Sequence, residues 1–507
     1  MITVDLLRGV PLFASLPASE LETLAARGAD IRLRAGDWLI HEGEVASFFV
    51  LLEGRIEVRK VIHGVDRLLT TYSPGEYFGE VPLLRLQEVT SEAAVATATI
   101  IGHRFDLACH HVRDFLARNH IAFKWLDPTR PDRNAEAVPP PRPGDAFPVV
   151  VLSDGTRLVT PTLRELAERL GLQTKPKTAL YDVAIIGAGP AGLAAAVYGA
   201  SEGLCTVLIE REAPGGQAGT SSRIENYLGF PTGVSGDELG SRALQQAKRF
   251  GAELLVARHV VGIDADPAAR ERAVRLDGDE RVGARSIILA TGVAWRQLEA
   301  PGCDTFLGRG VYYGAARTEA PNVRGQDIFL VGGGNSAGQA AMFFANYARS
   351  VTLLVRGTSL AATMSRYLID QLASKANIQV RTEHRVMRIE GDDHVERIVV
   401  ENRRTGEIRA EPAAAVFIFI GADAETSWLP GTVIRDARGY VCTGRDVTDL
   451  VAQSNGHWAL ERDPYLLETS VPGVFAAGDV RHGSIKRVAA GVGEGSMTIA
   501  FVHQYLA

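Results

Sequence analysis

Two glycine-rich segments, GAGPAG from Gly187 and GGGNSA from Gly332, each follow a β-branched apolar run and open a stretch of small, helix-forming residues. In a strand–turn–helix unit, glycines at this spacing let a pyrophosphate reach the backbone and rest on the helix N-terminus. The first run, Tyr181 to Ile186, is answered by Glu210, which ends the next predicted strand, Thr206 to Ile209. A carboxylate at that point accepts a hydrogen bond from a ribose hydroxyl. The second pattern keeps the same distance from first glycine to following strand end, which here reads Val355-Arg356. Together the two patterns predict two bound nucleotides.

The elements that must position these residues fall into several blocks. At 507 residues and 46% apolar content, the chain has length for about three or four domains. Residues 1–98 carry short alternating strands separated by glycine turns, the pattern of a small β-barrel. Residues 99–172 read as strand Thr99 to His103, helix Leu107 to Arg118, strand Ile121 to Trp125, strand Pro148 to Leu152 and helix Thr162 to Leu170, interrupted by a loop from Asp127 to Asp145 that contains PPPRPG. A linker over 173–179 leads into a glycine-rich α/β pattern that fills the rest of the chain. A net charge of −6 gives no electrostatic case for nucleic acid. No apolar run reaches membrane-spanning length and the opening MITVDLLRGV lacks the features of a secretory signal, so a cytoplasmic protein without an integral membrane segment is expected. Cys109, Cys205, Cys303 and Cys442 are scattered without CxxC or metal-ligand spacing, so no disulfide framework and no metal site is expected.

Beyond the glycines, GGQAG at Gly215, IENYLGFP at Ile224, ATG at Ala290 and GVFAAGDV at Gly473 make residues 180–507 resemble the low-molecular-weight thioredoxin reductase family. The resemblance implies an FAD domain in two pieces, 180–295 and 424–507, with an NAD(P) domain inserted over 296–423. It assigns FAD to Gly187, Gly189, Gly192, Glu210, Gly216, Gln217, Asn226, Ala290, Thr291, Gly292, Gly478 and Asp479, and the nicotinamide cofactor to Gly332, Gly334, Asn335, Ser336 and Arg356. It further implies a homodimer joined through the FAD domains, and hydride transfer after the NAD(P) domain turns to bring the two rings together. Taken singly, each glycine also serves turns and helix packing, Asn226 can cap a turn, and Asp479 can start a helix.

Val355 stands where an acid would bind the adenosine ribose of NADH, and Arg356 follows it. An uncharged residue followed by arginine suits a 2′-phosphate, which favours NADPH over NADH. The family pattern has two adjacent arginines here and a third further on, whereas this chain has Gly357 and Ala361. Arg366 is a candidate for a second contact, and Arg356 as a solvated strand end is the competing reading.

The family carries a redox CxxC just before its second fingerprint, since a dithiol must take electrons from the flavin and pass them on by disulfide exchange. The matching segment here is GRGVYYGAARTEA, with Gly314 and Arg317 in the cysteine places. The acceptor expected from this is a small molecule or an electron-carrier protein that needs no dithiol. His482, Lys486 and Arg487, which follow the GD motif, are candidates to steer it or to stabilise reduced flavin. Cys205 is expected to be buried in a strand approach and Cys442 to be a small buried hydrophobe. Two alternatives stay open: thioredoxin reduction through an unusual relay by Cys109 or Cys303, and a flavin-bearing sensor without turnover.

The N-terminal segments GVPLFASLPASELETLA, GDWLIHEGEVASFFVLLEGRIEV and GEYFGEVPLL resemble a cyclic-nucleotide-binding domain. By resemblance, Gly79 and Glu80 are its ligand contacts, while the arginine that pairs with the cyclic phosphate is missing from Leu86 to Glu92 and Arg85 comes too early to replace it. The domain is expected to take a small-molecule effector. Residues 99–172 look like a degenerate glutaredoxin or thioredoxin-fold unit, with Phe147-Pro148 at the cis-proline place, Cys109 at the second cysteine and Asp106 at the nucleophile. The competing reading is that Thr99 to Asn119 merely completes the barrel. His110, His111 and His120 form no metal-ligand set and read as solvated helix and loop positions.

Overall fold

The computed structural model describes residues 97–128 and 146–507, apart from 222, 267–268, 315–316, 454–457 and 459, together with 49–62, 65–72, 77–78 and six isolated earlier residues. Met1–Val95 and Ala96–Ala507 form two separate compact units. In the first, β2 (Ile56–Ile62) and β3 (Val65–Tyr72) pair antiparallel, and β1 (Phe49–Val50) pairs antiparallel with β4 (Tyr77–Phe78). Gly79 and Glu80, the expected ligand contacts, and the PPPRPG loop lie outside the described residues.

The second unit begins with β5 (Ala98–Ile101), α1 (Leu107–Arg118), β6 (Phe123–Leu126), β7 (Val149–Leu152), β8 (Arg157–Val159) and α2 (Leu163–Arg169). The sheet order is β6-β5-β7-β8, with β5 and β6 parallel and the other two pairings antiparallel. This is the order and sense of a thioredoxin fold, and the Phe147-Pro148 peptide is cis. Because β5 pairs with β6 and β7, Thr99 to Asn119 belong to this sheet and its helix, which sets aside the competing reading that they complete the N-terminal domain. Asp106 caps α1 by accepting the Cys109 N–H at 2.7 Å, and Thr162 caps α2 by accepting the Glu165 N–H at 3.1 Å. Strand β5 stops at Ile101 because the chain then closes on α1: a Cβ at Gly102 would lie 2.2 Å from the Cys109 sulfur.

The first nucleotide unit is built from β9 (Leu180–Ile186), α3 (Pro190–Ser201), β10 (Thr206–Ile209), α4 (Gly216–Gly219), α5 (Gly236–Arg249), β11 (Glu253–Leu255), β12 (Val260–Asp264), β13 (Arg272–Leu276) and β14 (Arg281–Leu289). Strands β11, β10, β9 and β14 run parallel in that order, with β13 and β12 added antiparallel beside β14. The inner strands are apolar on both faces, as parallel strands covered by helices must be.

Two short strands, β15 (Ala294–Trp295) and, much later, Ala422–Asp423, pair antiparallel where the chain leaves this unit and returns to it. Between them lie β16 (Val311–Tyr313), β17 (Asp327–Val331), α6 (Asn335–Phe344), β18 (Ser350–Val355), α7 (Arg366–Ala373), β19 (Ile378–Thr382), a meander of β20 (His384–Gly391), β21 (Val395–Asn402) and β22 (Ile408–Pro412), and β23 (Ala415–Ile418). The all-parallel order is β16-β23-β17-β18-β19. The last segment returns to the first sheet: Val474–Ala476 pairs parallel with β14, and the helix Val488–Leu506 packs on α3 so closely that a Cβ at Gly495 would meet the Ala191 carbonyl oxygen at 2.1 Å.

One apolar cluster joins the thioredoxin-fold residues Ile100, Phe115, Leu116 and Leu166 to Val183, Ile185, Leu208 and Phe475 of the first nucleotide unit. Residues 97–172 therefore share a core with the reductase-like part. No helix among the described residues is long and apolar enough to cross a membrane.

Candidate functional site

The two glycine turns repeat one construction at atomic detail. Gly187 has φ +102, and a Cβ there would lie 2.5 Å from the carbonyl oxygen of Ala290, just beyond β14. Gly332 has φ +143, and its Cβ would lie 2.3 Å from the carbonyl oxygen of Phe419, just beyond β23. In each unit the first strand runs beside the strand whose end carries that carbonyl, and only glycine passes beneath it. At Gly192 a Cβ would strike the Gly187 carbonyl oxygen at 1.8 Å, which sets α3 directly on the turn. Helices α3 and α6 both start at a glycine, Gly189 and Gly334, with no side-chain cap, so their first N–H groups face outward unsatisfied.

Around the first turn the structure brings together most of the residues expected there. Glu210 follows β10, and its carboxylate accepts the Ala188 N–H at 2.8 Å and the Glu212 N–H at 2.9 Å. Burial pushes its pKa up, against the opposing pull of those two donors. The Gly215-Gly216 turn lies against the first glycine turn, since a Cβ on Gly216 would be 2.9 Å from the Gly189 Cα. Gln217 donates to the Val293 carbonyl at 2.5 Å, beside Thr291 and Gly292. Gly478 reaches the same helix: its Cβ would meet that of Ala191 at 2.9 Å, while its N–H donates to Glu494 at 2.7 Å. Asp479 is half-buried, and burial raises its carboxyl pKa while Lys486 opposes the shift. Asn226 is exposed on the loop after α4. Crowded glycines, an uncapped helix and a carboxylate at the strand end fit a dinucleotide.

The second turn is more open. A Cβ at Gly334 would have nothing within 4 Å, leaving space over the start of α6. Asn335 turns its side-chain oxygen to the Ser365 N–H at 2.7 Å and so fastens the loop before α7, while Ser336 is exposed. Val355 is buried and Arg356 exposed at the strand end. Arg366 is committed to Asp370 of its own helix at 3.0 Å.

The three candidates after the GD motif do not converge. His482 pairs through Nδ1 with Asp436 at 2.9 Å, and Asp436 also accepts the Arg438 and Tyr440 N–H groups. Lys486 donates to the Tyr440 hydroxyl at 3.2 Å and lies over its ring. Both thus belong to the turn 436–440, next to a cleft of about 590 Å³ lined by Thr426, Ser427, Arg435, Asp436 and Arg438. Arg487 is exposed and has no carboxylate partner among the described residues. Its charge acts on Tyr367 of α7, whose phenol is raised first by burial and also by Glu225 of the first unit. Tyr367, which carries no sequence motif, and Glu225, which lies inside IENYLGFP but was not singled out, are therefore where the two nucleotide units face each other.

The segment that would carry a dithiol is occupied otherwise. Gly314 has φ +78, and its Cβ would lie 3.0 Å from the Trp295 ring. A few residues on, Glu319 is buried and accepts from Arg113 of α1 at 3.0 Å, from Asn322 at 2.7 Å and from the Tyr312 hydroxyl at 3.2 Å, with His110 at 2.9 Å. Arg104 donates to the Asn322 carbonyl, and Phe105 stacks on His394 with centroids 4.2 Å apart. The thioredoxin-fold unit thus turns its would-be redox corner into this contact. His110 is a correction to the expected solvated position, because a partner segment covers it, whereas His111 and His120 are exposed. Arg113 and Glu319 have no sequence signal of their own.

All four cysteines are unpaired. Cys109, Cys303 and Cys442 are buried, and burial pushes Cys303 and Cys442 up to about 11 and Cys109 higher still. Cys205 is exposed, which corrects the expected burial: it precedes β10, at the sheet's rim, where its N–H donates to Asp182 at 2.8 Å. Its pKa is raised too, by residual burial first and then by Asp182.

Residues 181–495 match the family model of the pyridine nucleotide-disulphide oxidoreductases, and residues 30–103 match that of the cyclic nucleotide-binding domain. The chain is 32% identical over 333 residues to a thioredoxin reductase of Peptoclostridium acidaminophilum, spanning 64% of this chain and 97% of that one. To a thioredoxin reductase of Mycolicibacterium smegmatis it is 34% identical over 330 residues, 65% of this chain and 97% of the other. Among solved structures, thioredoxin reductase of Lactococcus lactis in its FR conformation superposes with a TM-score of 0.57 at 30% identity, over 64% of this chain and 99% of that one.

Proposed function

The chain belongs to the pyridine nucleotide-disulphide oxidoreductase family, and from that premise we propose that it is an NADPH-dependent FAD reductase whose electrons go to an acceptor other than a protein dithiol. One observation carries the reading: the segment 311–323 holds no cysteine, and Glu319 within it is buried against α1. Cys109 and Cys303 are too buried and too weakly acidic to favour a relay between them.

In this reading Gly187, Gly189, Gly192, Glu210, Gly216, Gln217, Ala290, Gly478 and Asp479 hold FAD, and Gly332, Gly334, Asn335 and Arg356 hold NADPH. Bound FAD supplies a two-electron centre that takes hydride from NADPH and yields electrons to a second substrate. The chain's own part is electrostatic and geometric. The open N-termini of α3 and α6 oppose phosphate charge, Glu210 orients a ribose, and Val355 keeps a carboxylate away from a 2′-phosphate. Arg487, whose charge is uncommitted, is the residue placed to favour an electron-rich acceptor or an anionic product.

The same proposal gives the N-terminal modules a regulatory role. The cyclic nucleotide-binding domain takes a small-molecule effector, and α1 is the lever, since Arg113 engages the second nucleotide unit while Arg118 pairs with Glu212 of the first at 3.0 Å. Support for the catalytic part comes from mixing the FAD-loaded protein anaerobically with NADPH and then NADH while following flavin absorbance. Fast bleaching by NADPH and slow bleaching by NADH are expected; bleaching by neither replaces the reading with a flavin-bearing sensor.

A further inference from the structure

We propose that Arg403 forms, with Arg356, the seat of the NADPH 2′-phosphate, an inference that rests on the NADPH reading above and supplies the second cation that the strand-end sequence lacks. Arg403 lies far from the fingerprint in the chain, on the turn between β21 and β22, but three bonds fasten that turn to the end of β18. The Glu383 N–H donates to the Gly357 carbonyl at 2.9 Å, the Arg403 N–H donates to the Glu383 carbonyl at 2.7 Å, and Arg403 Nη1 reaches the Arg356 carbonyl at 3.4 Å. Val355 and Thr382 are register partners, so β18 and β19 end side by side and Glu383 leads directly from one strand end to the turn.

The charges at this corner are sorted. Arg366 is paired with Asp370, Arg385 with Glu401, Arg409 with Glu407, and Arg404 lies 3.7 Å from the carboxylate of Glu383, the residue whose backbone fastens the turn. Arg356 and Arg403 are exposed and have no carboxylate partner among the described residues. A guanidinium that reaches the carbonyl of a second exposed arginine, with neither arginine ion-paired among the described residues and a buried valine where an acid would select a free ribose hydroxyl, suits a phosphate dianion, which guanidinium forks bind in bidentate fashion. Gly334 leaves the space over α6 that the rest of the nucleotide needs. Arg366, the candidate within the fingerprint region, is replaced in this role by an arginine that the meander delivers.

The test is calorimetric titration of the FAD-loaded full chain with 2′,5′-ADP and with 5′-AMP, which differ only in the 2′-phosphate. The unsubstituted protein is expected to bind 2′,5′-ADP at least about tenfold more tightly than 5′-AMP, and R403Q to cut that preference by roughly tenfold through loss of 2′,5′-ADP affinity alone. R403K, which keeps the charge and loses the fork, is expected in between. A preference in R403Q equal to that of the unsubstituted protein, or an equal loss of both ligands, overturns the role of Arg403 while leaving NADPH selection by Arg356 standing if R356Q lowers the preference. An unsubstituted protein that binds both ligands equally overturns the NADPH reading and this inference together.

Discussion

Arg113 and Glu319, 206 residues apart in the chain, meet at 3.0 Å in a buried ion pair with side chains only 3% and 1% exposed. Trp125 covers the guanidinium at 4.1 Å, and His110, Asn322 and Tyr312 satisfy the rest of the carboxylate. Such a pair adds little over well-packed apolar groups, but deleting one partner strands a buried charge at a cost of about 3–5 kcal/mol. The thioredoxin-fold unit is thus bound to the second nucleotide unit by contacts whose loss is costly, and to the first by a shared core.

That pair predicts a pH dependence with a definite sign. Burial raises the Glu319 pKa, but the His110 bond, the Arg113 charge and the Asn322 bond outweigh it and bring it from 4.5 to about 2. An unfolded chain takes up the proton near the ordinary value, while the folded chain resists until near 2, so in that window the unfolded state binds more protons. The contribution, on the order of 3 kcal/mol, is complete above the ordinary carboxylate range and is lost as pH falls toward the folded value. Urea midpoints at pH 6 and pH 3 check this: E319Q is expected to start lower at pH 6 and to lose less than the unsubstituted protein on acidification. Equal losses would reject the assignment.

The glycines predict two opposite outcomes for one substitution. At Gly192 an added methyl lies 1.8 Å from the Gly187 carbonyl oxygen, backbone against backbone, so G192A must move α3 off the turn. Overpacking of this kind costs about 1–3 kcal/mol or more, and G192A is expected to purify without bound flavin. Gly334 has open space and an ordinary negative φ, so G334A is expected to fold and hold flavin, with its effect confined to nicotinamide nucleotide affinity. Flavin absorbance per mole of protein, followed by titration with NADP⁺, distinguishes the two.

What could be read in the sequence follows from this contrast. Gly187 and Gly332 announce themselves because a missing Cβ is a property of one residue in one turn, and the constraint recurs wherever a strand passes under a carbonyl. Helix α1 was legible from Leu107 to Arg118, since periodicity is local, although the capping role of Asp106 emerged only in the structure. Its contact was not: His110 looks like a solvated helix position until the distant segment around Glu319 covers it. Arg403 escaped for the same reason, since only β-sheet register brings it to Arg356. Cys205 misled in the other direction, because its apolar neighbours belong to a strand that starts one residue later.

The thiols predict a negative result that a dithiol enzyme would not give. With Cys303 and Cys442 near 11, the thiolate fraction at pH 8 is about one in a thousand, and nucleophilic attack needs the thiolate. Iodoacetamide at pH 8 is expected to label Cys205, the exposed cysteine, slowly and the other three only after unfolding. A variant with all four cysteines replaced by alanine or serine is expected to keep NADPH-driven flavin reduction and reoxidation by quinone. Loss of reoxidation with reduction intact would restore a cysteine relay.

The separation of Arg487 from His482 and Lys486 predicts which of the three acts on the acceptor. His482 is held by Asp436 and Lys486 by Tyr440, so both side chains are engaged within the turn 436–440. Arg487 keeps its guanidinium exposed on the side facing Tyr367, where the two nucleotide units meet. Removing a cation that stabilises charge developing during electron transfer is expected to slow the step by at least about tenfold. R487A is therefore expected to lower the rate of flavin reoxidation by benzoquinone by that factor, whereas H482A and K486A change it by less than about threefold, in line with lost packing alone. Stopped-flow traces of the pre-reduced protein mixed with quinone separate this from any change in the NADPH half-reaction. A larger effect in H482A than in R487A would move the acceptor site to the cleft beside Asp436 and Arg438.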